Sequence, residues 1–511
     1  MIRRGPFTPQ RLARFAADES GSILVLWIMS LVAILGITAL VFDMGRIQIA
    51  QTDLKRFAEN VALAAAAELD GQDDSITRAT NAADVLISNP QAYGGDGTLF
   101  GAADYTLTFL DGLPAEDVEP DGTPTDTSPF LTTNSSEAIF AQVVATPATL
   151  ATPFLQATRA ILGTGGATQA TVSGQAIAGF TMEACDVTPL MFCKPPGWSA
   201  TQNTSIGDQI LLRSGGQGTA WGPGDFGFLD VTAGSVGSTC QGLSGAKLIG
   251  CLIGAEDNIT RCYSEKGVTT EPGQKVGLMN AVFNTRFDQF SSVMSTYKND
   301  PNYTAAPNTI SGIIPSGSCG WNSTTASTNS IGLPQDDCFS ATGGCTRFGD
   351  GTWDYDTYID TNHGDANGVL DVGEDSHLLP HIPAAYAGTR YGVYVAEIEN
   401  AKTAGLPNGA ILDGRDEAGT PQCTSNVSTN PKRRVLIAAA VDCVANPING
   451  SASNVPVAEF VEIFMTNPVG EGVGSPPSFD LWVEVIGSAG VAGYSSAGTG
   501  GVFRDVVQLY R

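Results

Sequence analysis

Histidine is almost missing from this chain: His363, His377 and His381 are the only 3 among 511 residues. No Gly-x-Ser-x-Gly elbow, no P-loop and no Cys-x-x-Cys pair occurs anywhere. Hydrolase, nucleotide-hydrolysing and dithiol chemistries therefore lack their usual parts, and an enzyme is not expected. Basic residues are also scarce, 26 Lys and Arg against 52 Asp and Glu, for a net charge of −26. With no basic stripe, nucleic acid is excluded as a partner. Cysteine is absent from the first 180 residues, and all ten lie beyond them. Charge is absent from residues 22–42, SILVLWIMSLVAILGITALVF.

That last absence organises the rest. About 20 apolar residues at 1.5 Å each cross a hydrocarbon core of roughly 30 Å, so residues 22–42 read as a transmembrane helix. The helix is expected to run on to residue 69, because DMGRIQIAQTDLKRFAENVALAAAAEL is rich in helix formers and holds no breaker except Gly45. Ile47, Ala50, Leu54, Phe57, Val61 and Ala64 recur at steps of three and four. They form a seam for a partner helix or, on the simpler reading, for the protein's own body. Arg3, Arg4, Arg11 and Arg14 precede the span, which places the amino terminus (residues 1–21) in the cytoplasm and the bulk outside it. Cysteines confined to the far side of the span fit disulfides in an oxidising compartment. Asp43 has two readings, an acid pairing with a neighbouring helix or one marking the headgroup level.

Residues 43–180 continue with a short helix and strands at 105–110, 137–146 and 171–180, each rich in β-branched or aromatic residues. A second short helix opens at Thr152-Pro153. A long helix followed by a small antiparallel sheet is the outline of a pilin. Residues 181–430 are Gly-, Ser- and Thr-rich and carry most of the cysteines. A structured loop is expected at WGPGDFGFLDV, a helix at 276–290, and a strand at 390–399. Residues 431–511 supply four further strands, with Leu481, Val483 and Val485 on one face. The expected fold class is α+β: a transmembrane helix continuing into a pilin-like helix on antiparallel sheet, then a β-rich, disulfide-containing periplasmic region. Cys185 with Cys193, and Cys423 with Cys443, are the expected pairs.

The amino-terminal block FAADESGSILVLWIMSLVAILGITALVFDMGRIQIAQTDLKRFAENVALAAAAEL resembles the TadG-like proteins of Flp (Tad) pilus assembly systems. Gly21 before the span, Asp43 at its exit, and Leu54, Ala58, Glu59 and Ala62 beyond it carry the resemblance. Similarity is weaker in ACDVTPLMFC, WGPGDFGFLD, AVFNTRFDQF and RRVLIAAAVDC. The resemblance implies a single-pass bacterial inner-membrane component, pseudopilin-like or minor-pilin-like. Its implied partners are other pilus-assembly subunits, met through the helix. Two departures limit it. The Asp-x-Ser-x-Ser metal site of many relatives is missing, and Leu26 stands where a cleavable prepilin has Glu. The alternative is a membrane-anchored adhesin or a calcium-binding extracytoplasmic protein.

The one stretch with metal-like chemistry is DTNHGDANGVLDVGEDSHLLPH. Aligned on Gly368 as an EF-hand loop, it puts Asp365 and Asn367 at the third and fifth positions. Leu370 falls at the apolar eighth, Asp371 at the ninth and Glu374 at the bidentate twelfth. His363 occupies the first, where Asp360 or Asn362 would have to substitute. The stretch reads either as an acidic turn that binds nothing or as a calcium loop, and zinc on the three histidines is the rival to calcium.

Overall fold

The structure, a computed structural model, describes residues 22–85, 104–114, 126–162, 169–185, 187–200, 205–214, 220–231, 238–256, 262–264, 267–271, 276–314, 326–342, 344–406, 411–412, 415, 417, 419–471, 479–491 and 503–510. The expected cytoplasmic segment, residues 1–21, lies outside them. In chain order the first elements are α1 (Ser22–Ala66), α2 (Ser75–Val85), β1 (Tyr105–Leu110), β2 (Phe140–Ala145), β3 (Ala148–Ala151), α3 (Pro153–Leu162), β4 (Gln169–Val172) and β5 (Gln175–Cys185). Then follow β6 (Leu190–Cys193), β7 (Gln209–Ser214), β8 (Asp225–Phe228), α4 (Gly245–Gly254), β9 (Cys262–Ser264), α5 (Val276–Asn284), α6 (Tyr355–His363) and α7 (Arg390–Ala404). The last five are β10 (Val435–Val441), β11 (Glu459–Met465), β12 (Gly470–Glu471), β13 (Phe479–Val491) and β14 (Phe503–Leu509). The chain divides into two compact units, Met1–Phe180 with Val507–Arg511, and Thr181–Val506.

In the first unit α1 runs unbroken for 45 residues, as its composition demands. Its turn into α2 is tied by Arg78, which reaches Glu68, Asp70 and Asp74 at 2.8, 2.5 and 3.0 Å. Strands pair in the order β1-β2-β5-β14, with Tyr105 opposite Ala145 and Phe140 opposite Gly179. Alternation along the strands puts Tyr105, Leu107, Ala141, Val143, Ala145, Ala176 and Ala178 on one face. Tyr105 meets Phe57 of α1 edge to face at 5.9 Å, so that face receives the helix. Its many alanines let the helix lie close.

The second unit is built on a sheet ordered β11-β10-β6-β8-β7-β13-β12, in which β11 also pairs with β13. That extra pairing closes six strands into a ring. Two of its ladders are parallel, β10 with β6 and β7 with β8, and the others are antiparallel. Alternate residues of all six strands (among them Phe192, Ile210, Phe226, Ala438, Ile463 and Val483) share one buried cluster with α4 and α5. On the opposite face α7 packs Tyr391, Tyr394 and Ile398 against Phe464 and Ile486.

Four expectations change. The strand expected at 390–399 is helix α7: Thr389 caps it by accepting from the Gly392 amide, and Gly405 ends it at φ 62°. The loop expected at WGPGDFGFLDV contains β8, because Phe226 and Phe228 are both buried in the ring's core. The division at residue 430 disappears, since β10 pairs with β6 and residues on both sides of 430 share one sheet. β14 hydrogen-bonds into the amino-terminal sheet rather than a carboxy-terminal one.

The expected pairings Cys185–Cys193 and Cys423–Cys443 are likewise replaced. Cys193 bonds Cys443 with their Cα atoms 5.4 Å apart. The parallel register of Val441 with Cys193 brings Cys443 to that strand end. Cys185 and Cys423 are both disulfide-bonded, to other cysteines, and the β5 register sets Cys185 opposite Cys262. Cys240–Cys251 and Cys338–Cys345 close short loops.

Candidate functional site

Two places carry the functional candidates, and α1 is the first. Its amino-terminal half is uncovered: Leu26, Trp27, Met29, Ile34, Ile37 and Val41 are all more than half exposed. The helix is long and apolar enough to cross a membrane. Past Phe42 its character changes within one residue. Asp43 is buried and its Oδ2 accepts from the Leu155 amide at 2.6 Å, the third residue of α3. Asp43 is thus an intradomain cap, a role that neither sequence reading named. The Asp43 Oδ1 atom is buried without a hydrogen bond. Beside it Phe42 and Phe154 meet edge to face at 5.4 Å.

The seam divides along the same line. Ala50, Leu54, Phe57 and Val61 are buried, while Ile47 and Ala64 are partly so. Their cover is the protein's own: α2, α3, β2 and β4 all pack on α1. Gly174 lies so close that a Cβ there would stand 2.6 Å from the Leu54 carbonyl carbon. The seam is therefore core, the simpler of the two readings. The side of α1 left open beyond the span carries Met44, Gln48, Ile49, Thr52, Lys55, Arg56 and Asn60.

The second place is the acidic loop after α6. Asp354 caps this helix through the Thr357 amide, and the helix delivers Asp360 to the loop. Asp360, Asp365 and Glu374 each offer a carboxylate oxygen, all within 4.8 Å of one another. Asp360 is fully buried; its Oδ2 accepts from the Gly368 amide and its Oδ1 has no partner. Glu374 Oε2 accepts from the Asp371 amide at 3.0 Å, and its carboxylate packs on the bare backbone of Gly364. Arg415 fastens the loop's root, donating to the carbonyls of Thr361 and Gly364.

This differs from the EF-hand frame at three positions. Asn367 is exposed and bonds within the loop, its Oδ1 accepting from Val369 N at 2.7 Å and its Nδ2 donating toward Asp371 Oδ2 at 3.4 Å. Asp371 is thereby outside the carboxylate group, and Leu370 packs against the α6–α7 core. The carboxylate that joins Asp365 and Glu374 is Asp360, three residues before His363. The loop leads not directly into a second helix but into 3-10 turns at Leu379–His381 and Ala384–Tyr386, and α7 begins only at Arg390. Asn362 spends its amide on the Ile331 backbone.

The histidines form a different chain. His363 Nε2 meets Glu397 Oε1 at 2.9 Å, and His377 Nε2 meets His363 Nδ1 at 3.4 Å. Both ring nitrogens of His363 are thus engaged, and His381 joins no cluster of three ligand groups among the described residues. Glu397 is held further by Tyr358 Oη at 2.8 Å and Asn308 Nδ2 at 2.5 Å. Burial and the Glu397 charge push the Tyr358 phenol well above its ordinary pKa, so it stays a donor.

A buried ion network, which periodicity alone does not signal, fixes α7 to the ring. Arg390 pairs with Asp336 at 2.5 Å and with Glu484 at 3.2 Å, all three side chains fully buried. Glu484 also accepts from the amides of Arg390 and Tyr391, which seats the helix's first turn.

Comparison with known proteins adds one finding. Residues 21–68 match a family model described as "Putative Flp pilus-assembly TadE/G-like", and this segment takes in all of α1. No curated protein and no solved structure matches the chain.

Proposed function

We propose that the protein is a membrane-anchored, pilin-like component of a Flp (Tad) pilus assembly system, with its amino terminus in the cytoplasm and its body in the periplasm. The observation that carries this reading is α1 itself. One continuous helix leaves an apolar, charge-free half uncovered and lays its other half on a small antiparallel sheet. The match to the pilus-assembly family falls on that same segment. Disulfides in the body and arginines ahead of the span support the orientation. Because the seam is occupied internally, contact with other subunits is left to the exposed residues 25–42 and the open side of α1.

Deleting the gene from its host tests the reading. Surface pili are expected to disappear, and to return with the full chain but not with a chain lacking residues 22–42. Normal piliation in the deletion strain overturns the assembly role. Labelling of body residues from the cytoplasmic side overturns the orientation.

A further inference from the structure

We propose that Asp360, Asp365 and Glu374 form a binding site for a hard divalent cation of the calcium class, independent of the anchoring role. Three carboxylates lie with oxygens within 4.8 Å of one another, the spread allowed to ligands about 2.3–2.6 Å from one ion. None of the three forms an ion pair with Lys or Arg among the described residues. Like charges at this separation repel, and a carboxylate fully removed from water needs compensation. Asp360 is such a carboxylate: it is fully buried, and Oδ1 lacks any hydrogen-bond partner. A cation supplies what that oxygen is missing.

The donor set selects the ion. Every donor is oxygen, which suits calcium or magnesium over zinc. His363, at the end of α6, has both ring positions committed to Glu397 and His377. The loop curls through Ala366 at φ 65°, Gly368 at φ 79° and Gly373 at φ 98°, and water or a carbonyl would have to complete the shell. Calcium tolerates such a shell; magnesium demands a stricter octahedron. The ion would tie the end of α6 to the loop that follows, beside the core where Leu370 packs.

The test uses the full chain in detergent, stripped with chelator and then given calcium alone. Metal analysis of the protein as isolated is expected to find calcium. At about a hundred times the dissociation constant, calcium is expected to raise the melting midpoint by roughly 5 °C. Glu374→Gln and Asp360→Asn should each remove that shift. Asp371→Asn, outside the carboxylate group, should keep it. If Asp360→Asn does not fold, Glu374→Gln, at a partly exposed position, still decides. Equal midpoints with calcium and with chelator overturn the site. So does a shift with zinc but none with calcium, or a shift lost in Asp371→Asn and retained in Glu374→Gln.

Discussion

Asp43 Oδ2 accepts from the Leu155 amide across 2.6 Å, joining residues 112 apart in the chain. The carboxylate stands at the first turn of α3, where three backbone amides lack helical partners and the helix dipole favours negative charge. It also marks the point where α1 passes from an uncovered surface to a covered one. Asp43→Ala is expected to destabilise the first unit by about 1–2 kcal/mol, the usual loss for a helix cap. Asp43→Asn should cost less, because an amide oxygen still accepts. Denaturant melts of the detergent-solubilised protein measure both, and equal losses would show that the cap contributes nothing specific.

Gly174 carries the approach of the sheet to α1. A Cβ at this position meets the Leu54 carbonyl oxygen at 2.6 Å and the Lys55 nitrogen at 2.7 Å, and backbone atoms cannot rotate away. Gly174→Ala should therefore cost at least the 1–3 kcal/mol typical of overpacking. Leu54→Asp should be worse, placing a charge in a contact that is 4% exposed. If Gly174→Ala melts like the parent, the helix does not lie where its contacts place it.

Local periodicity made much of this legible. Residues 105–110, 435–441 and 459–465 are strands, as their β-branched and aromatic residues read in isolation. Residues 390–399 failed because nearly every side of α7 is buried, so aromatic and β-branched residues recur at both periods. The discriminating signal was the pair Thr389 and Gly405 at its ends. Pairing across long separations left no local trace: the closure of β11 on β13 and the approach of Cys443 to Cys193 depend on the whole ring. The acidic loop was legible as a cluster of carboxylates, but the sequence left Asp360 and Asn362 open as its upstream member, and only the fold shows Asp360 beside Asp365 and Glu374 while Asn362 bonds the Ile331 backbone.

The bridge from Cys193 to Cys443 spans 250 residues and fastens β6 to the chain leaving β10. In a chain-entropy account, loops of this length give the largest effect, about 5 kcal/mol as an upper range. Cys193→Ser with Cys443→Ser should lower the melting midpoint of the body, whereas opening the Cys338–Cys345 loop, only 7 residues apart in sequence, should matter less. Peptide mapping under non-reducing conditions is expected to recover a Cys193–Cys443 species. Recovery of Cys185 joined to Cys193 would refute the ring's register at β6.

Asp208 gives the body a defined pH response. Burial raises its pKa from 3.8 to about 6, with the Asp336 and Asp350 charges adding to the shift. Asp336 is committed to Arg390 through a 2.5 Å ion pair. In the folded protein Asp208 thus holds a proton that the unfolded chain has already released between pH 4 and 6. Folding binds that proton, so stability is full below about pH 4 and falls as pH rises through about 6. Asp208→Asn removes the titration and the repulsion together. The variant should match the parent near pH 4 and exceed it by about 1 kcal/mol at pH 7, the shift being discounted because the carboxylate is only half-buried. Denaturant melts across pH 4 to 8 supply the comparison. A constant difference between the two proteins over that range would mean that Asp208 is ionised throughout and that the neighbouring acids do not act on it.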